Sequence, residues 1–83
     1  MEIIVLGSGC TRCHKAFDVV RQTVGKAGIE ADVIFESDIV KILDYNVLSL
    51  PAIVVDGEVK MNGQVPTEDE VRQMLHIMQP EER

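Results

Sequence analysis

The chain has 83 residues, of which 46% are hydrophobic and 27% are charged, and its formal net charge is -6. This length suits one small globular domain, residues 1–83, with no room for a second. The acidic balance disfavours binding to nucleic acid, and no apolar run approaches the roughly 20 residues that span a bilayer. We therefore expect neither nucleic acid nor a membrane as a partner.

The first third of the chain predicts a strand, a long helix and a second strand. The apolar run Ile3–Leu6 is short and rich in β-branched residues, as in a central strand covered on both faces. From Thr11 to Ala27 apolar residues recur at steps of three and four, which predicts an amphipathic helix, and Gly28 follows as a stop signal. Residues 31–36 alternate in part, which predicts a second, more exposed strand.

A short helix is predicted next, running to Leu43. Ser37 or Asp38 would cap its start, and Asn46 would end it in a left-handed conformation. The side chains expected to face inward are Ile39, Ile42 and Leu43.

The remaining third predicts a hairpin and a last helix. Pro51–Val55 and Glu58–Met61 flank an Asp-Gly pair, which suits the two positive φ angles of a type I′ turn. Thr67 and Glu70 match a capping box at the start of the last helix. Its expected inward stripe is Val71, Met74, Leu75 and Met78.

The predicted order is β-α-β-α-β-β-α. A strand-helix-strand start implies a right-handed crossover between parallel strands, and the hairpin adds two antiparallel strands. The expected fold is therefore an α/β fold, with a mixed four-stranded sheet and helices on both faces.

Two cysteines three residues apart, Cys10 and Cys13, mark the junction of the first strand and the first helix. Cys10 falls at the helix cap, where unpaired N–H groups and the helix dipole favour a thiolate, and Cys13 continues the buried stripe. Arg12 adds a positive charge that is expected to tune the pKa of the Cys10 thiol. This is the layout of an attacking thiol and a resolving thiol that can close a disulfide.

Other interpretations of the two cysteines stay open. They could be inert buried thiols, or they could bind Cu(I) or Zn(II), since thiolates suit both ions. Soft-metal chaperones order their elements β-α-β-β-α-β, which differs from the order predicted here, so we expect no native metal. A third alternative is a non-enzymatic redox-sensing module that docks through the surface around Pro51.

The N-terminal residues give an expectation about the cellular compartment of the protein. Met1 and Glu2 lead directly into the first strand without a basic segment, so we expect no signal peptide and a cytoplasmic protein. In a reducing compartment two cysteines are poor candidates for a structural disulfide, which favours catalysis or metal binding.

Three segments together resemble the small thioredoxin-like, glutaredoxin-like redox-active disulfide proteins of prokaryotes. They are "GSGCTRCHK" after an apolar strand, "YNVLSLPAIVVDGEV", and "MNG" before the last helix. The resemblance implies a thioredoxin-like fold and a monomeric protein-disulfide reductase that uses a Cys10–Cys13 disulfide and no other cofactor. Its implied partners are disulfide-containing proteins and a reductant of the thioredoxin-reductase type.

The resemblance also implies roles for three residues outside the cysteine motif. Pro51 would follow a cis peptide bond and lie against the disulfide. The backbone of Leu50 would offer hydrogen bonds to an extended substrate. Gly63 would keep the adjacent loop low so that a partner can approach.

Overall fold

The computed structural model describes residues 1–9, 11–47 and 49–75. None of the helices within these ranges is long and apolar enough to cross a membrane. In chain order the elements are β1 Glu2–Leu6, α1 Thr11–Ala27, β2 Asp32–Glu36, α2 Ile39–Asp44, β3 Ala52–Val55, β4 Glu58–Asn62 and α3 Glu68–Met74. This is the predicted order, and it differs from the order expected of a soft-metal chaperone.

The four strands form one mixed sheet in the spatial order β2-β1-β3-β4. β1 is central, as predicted: it pairs in parallel with β2 and antiparallel with β3. β3 pairs antiparallel with β4, with an irregularity in register between Ile53 and Val54. The register of β1 with β3 sets Leu6 opposite Ala52, so the end of β1 and the start of β3 lie at the same edge of the sheet.

Successive side chains of β1 enter two hydrophobic cores on opposite faces of the sheet, as the pleat of a strand requires. Ile3 and Val5 belong to the larger core, beneath α1 and α3. Leu6 belongs to the smaller core, which α2 covers. The predicted helices on both faces are therefore confirmed. The helices and the residues that directly follow α2 and α3 bring buried side chains to these cores. They are Ala16, Val20, Val24, Val71 and Leu75 in the larger core and Ile42 and Val47 in the smaller.

The helix α2 is capped as predicted but packs differently. The side chain of Asp38 accepts a hydrogen bond from the Val40 amide, and Ile42 is buried. The prediction that Ile39 and Leu43 face inward was wrong, because their side chains are 60% and 61% exposed. A helix of six residues presents too short a face to bury three large side chains, so Ile42 makes the core contact.

Local signals at two turns and at the start of one helix are confirmed by the structure. Asn46 has a φ of 59° at the end of α2, and Asp56 and Gly57 have φ values of 49° and 85° in the hairpin turn. Thr67 and Glu70 form a reciprocal capping box at the start of α3. Of the stripe predicted for the last helix, Val71 and Leu75 are buried and Met74 packs at the edge of the larger core, while Met78 lies outside the described residues.

An exposed ion pair joins the end of α1 to the start of α3. The Lys26 ammonium lies 2.9 Å from a Glu68 carboxylate oxygen, and this hydrogen bond, reinforced by the charge of Lys26, lowers the pKa of Glu68. Because the pKa of Glu68 is lower in the folded chain, the pair stabilises the fold above the ordinary glutamate pKa of about 4.3. That stabilisation is lost as the pH falls through the lowered pKa.

We expect Lys26→Met to return the pKa of Glu68 toward its ordinary value, measured by NMR titration of the side-chain carboxyl carbons. Glu58 is an internal control, since a hydrogen bond from Lys60 lowers its pKa independently. An unchanged pKa of Glu68 in the variant would contradict the pairing.

Candidate active site

The predicted cysteine motif lies where β1 ends and α1 begins. Gly9 has a φ of 91°, a left-handed conformation that glycine adopts without steric cost, and α1 starts at Thr11. Cys10 lies outside the described residues, and so does the predicted Cys10–Cys13 disulfide. The first turn of α1 contains no acidic residue, so this 17-residue helix has no carboxylate of its own first turn to offset its positive end.

The side chain of Cys13 is fully buried in the first turn of α1, as its place in the apolar stripe predicts. It packs directly against Gly7, the residue after β1. A Cβ placed on Gly7 would lie 2.6 Å from Cys13 Cβ and 2.8 Å from Cys13 Sγ, closer than any real contact. Only glycine fits at position 7 without moving Cys13.

An aromatic group also lies close to Gly7. The same added Cβ would lie 3.1 Å from Cζ of Phe35, near the end of β2. The exposed His14 stacks on Phe35 with 5.4 Å between ring centroids, and Phe17 meets Phe35 edge-on at the same separation. The sequence predicted neither Gly7 nor Phe35 as part of the site. The one signal for Gly7 was its place directly after an apolar strand.

The peptide bond Leu50-Pro51 is cis, as the resemblance implies. Pro51 is buried and directly precedes β3. Since Ala52 pairs with Leu6, the register sets Pro51 level with Gly7, at the edge of the sheet where Cys13 packs. Leu50 is half-buried and packs against the smaller core.

Gly63 follows β4 and lies beside the segment that leads into Pro51. Its amide donates a hydrogen bond to the Pro51 carbonyl at 2.9 Å. Its φ is 82°, and a Cβ placed on it would lie 3.1 Å from Cβ of Ser49. Glycine therefore permits both the left-handed backbone and the close approach to Ser49.

Arg12 was predicted to tune the Cys10 thiol, and the contact that the structure gives it is with Gly63. Its Nη2 donates a hydrogen bond to the Gly63 carbonyl at 2.9 Å, across 51 residues of sequence. The structure thus brings together Arg12, Pro51 and Gly63, with Leu50 beside them and Cys13 at the same edge of the sheet.

A metal site would need several ligands close together. Within residues 1–9, 11–47 and 49–75, no three His, Cys, Asp or Glu side chains form a group that could hold a metal ion.

Comparison with known proteins agrees with this arrangement. A family model described as a thioredoxin domain matches residues 1–76. A thioredoxin of Methanothermobacter thermautotrophicus is 32% identical over 75 residues, which cover 90% of this chain and 97% of the relative. A thioredoxin of Methanocaldococcus jannaschii is 26% identical over 73 residues, which cover 88% of this chain and 84% of the relative. The chain therefore belongs to the thioredoxin-domain family and has a thioredoxin-like fold.

Proposed function

We propose that this protein is a thiol–disulfide oxidoreductase that reduces disulfide bonds in other proteins through Cys10 and Cys13. The observation that carries the proposal is the buried Cys13 side chain, packed against Gly7 in the first turn of α1, in a chain of the thioredoxin-domain family. A buried thiol is shielded from solutes and suits the second, internal step of disulfide exchange, for which it needs to reach only Cys10.

The reaction proceeds in two exchanges that balance in sulfur and electrons. The Cys10 thiolate attacks one sulfur of the substrate disulfide, forms a mixed disulfide and releases the other substrate sulfur as a thiolate. Cys13, as a thiolate, then attacks Cys10 Sγ and releases the second substrate sulfur. The substrate disulfide has gained two electrons and, once its thiolates are protonated, two protons, and the protein is left with a Cys10–Cys13 disulfide.

The surface around Pro51 supports a role in holding the substrate. Leu50, Pro51 and Gly63 lie at the sheet edge that carries Gly7 and Cys13. A substrate segment that lies extended along Leu50 would add to the protein as a strand, with main-chain hydrogen bonds that accept many sequences. Such binding suits a reductase that acts on more than one protein disulfide.

The cycle requires an external source of two electrons. We propose a reductant of the thioredoxin-reductase type, which returns the Cys10–Cys13 disulfide to the dithiol. The observed element order favours this function over the soft-metal chaperone, whose order is β-α-β-β-α-β.

A turnover assay tests the proposal. With dithiothreitol as the electron donor and insulin as a model disulfide substrate, the wild-type protein should accelerate the reduction of insulin, followed by the turbidity of the released chains. The double variant Cys10→Ser, Cys13→Ser gives the background rate. A wild-type rate no higher than this background, together with stable one-to-one Cu(I) binding, would favour the metal chaperone instead.

A further inference from the structure

Arg12 connects the start of α1 to a loop that is distant in the sequence. It is exposed on the first turn of the helix, and its guanidinium donates a hydrogen bond to the Gly63 carbonyl at 2.9 Å. Within the part of the chain that the structure describes, Arg12 forms no ion pair with a carboxylate. The orientation of its side chain is therefore set by the hydrogen bond to the Gly63 carbonyl and not by an ion pair.

Gly63 is in turn hydrogen-bonded to Pro51, the residue that precedes β3. Its amide donates to the Pro51 carbonyl at 2.9 Å, so two hydrogen bonds in series join Arg12, Gly63 and Pro51. Gly63 also lies close to Ser49, since a Cβ placed on Gly63 would lie 3.1 Å from Cβ of Ser49. Movement of the Gly63 loop would therefore displace Ser49 and Pro51, the residues on either side of Leu50.

The contact depends on the shape of the arginine side chain more than on its charge. A guanidinium presents several N–H donors on a planar group, whereas a lysine ammonium is a compact, strongly hydrated charge on a flexible stem. An exposed charge is also screened by solvent and salt. Substitution by lysine therefore separates a positioning role from an electrostatic role.

We propose that Arg12 is a positioning residue that holds the Gly63 loop against Pro51 and so sets the shape of the substrate-binding surface. This rests on the proposed function, because the surface matters only if a disulfide substrate lies on it. Arg12 then acts mainly on the binding of protein substrates, which cover the loop. The reaction with small disulfides, which touch little besides the thiols, depends on it much less.

The kinetic test compares Arg12→Lys and Arg12→Met with the wild type, using insulin and a small aromatic disulfide as substrates. The loss of one hydrogen bond worth about 1 kcal/mol corresponds to a roughly fivefold change, so we expect both variants to raise KM for insulin about fivefold. The kcat, and the rate with the small disulfide, should stay within about twofold. Lys15→Met removes an exposed charge from the same end of α1 and is the control for charge, with KM unchanged.

A second measurement does not depend on activity. Hydrogen exchange of the Gly63 amide, which donates to Pro51, should become about fivefold faster in Arg12→Lys and Arg12→Met and not in Lys15→Met. Wild-type KM in Arg12→Lys, with a shift in the pH profile of thiol alkylation in Arg12→Met alone, would overturn the proposal in favour of charge tuning. An unchanged Gly63 exchange rate would overturn it as well.

The insulin assay and the exchange measurement distinguish failure of the proposed function from failure of the proposed role of Arg12. A wild-type protein that does not reduce insulin would overturn the proposed function and, with it, the substrate role of Arg12. The exchange rate of the Gly63 amide would still decide whether Arg12 holds the loop.

Discussion

Replacing Gly7 with alanine is expected to lower the free energy of unfolding by about 1–3 kcal/mol, the range for overpacking a close-packed interior. The added methyl would lie 2.6 Å from Cys13 Cβ and 2.8 Å from its Sγ, where carbon atoms in contact normally lie about 3.5–4.0 Å apart. The Cβ of Cys13 is bonded to the backbone and cannot turn away, so the first turn of α1 must move. Because Cys13 moves with it, reductase turnover should fall as well.

Gly25, which lies in α1, offers a matched control for the substitution of Gly7 by alanine. It has an ordinary φ, like Gly7, but a Cβ added there would meet nothing within 4 Å. Gly25→Ala should therefore stabilise the protein by about 0.5–1 kcal/mol, since alanine is the better helix former. Urea denaturation of both variants measures the difference, and a Gly7→Ala protein as stable as the wild type would refute the tight packing at Cys13.

The largest effect on activity is expected from Cys13→Ser, which should lower the turnover of insulin at least about 100-fold, as for other residues that act as a unit with a nucleophile. Without a resolving thiol the mixed disulfide on Cys10 persists until an external thiol attacks it. Residual turnover should therefore rise with the concentration of dithiothreitol, whereas Cys10→Ser should show none above background. Since Cys13 is buried, Cys13→Ala serves as a second variant, and far-UV circular dichroism confirms that each variant is folded.

Many elements of this fold could be predicted because their signals are local. The capping box of Thr67 and Glu70 and the turn of Asp56 and Gly57 each depend on residues a few positions apart. The stripe of α1 and the apolar run of β1 carry enough information to place each element. The cis bond at Pro51 is different, since the resemblance to a family implied it and the spacing of residues did not.

The missed features depend on contacts between distant parts of the chain. Gly7 matters because α1 brings Cys13 against it and β2 brings Phe35 close to it as well. The bond from Arg12 to Gly63 spans 51 residues, so the charge of Arg12 was apparent in the sequence while its partner was not. The burial of α2 also depends on distant contacts. Its periodicity alone did not show that only a small part of the helix packs against the core.

The central claim, that Cys10 attacks and Cys13 resolves, is tested most directly by trapping the mixed disulfide. Cys13→Ser and Cys10→Ser proteins would each be incubated with insulin, quenched with an alkylating agent and digested for mass spectrometry. The account predicts an insulin peptide disulfide-linked to Cys10 in the Cys13→Ser protein and no adduct in the Cys10→Ser protein. An adduct on Cys13 in the Cys10→Ser protein, with none in the other, would reverse the roles of the two cysteines and contradict the account.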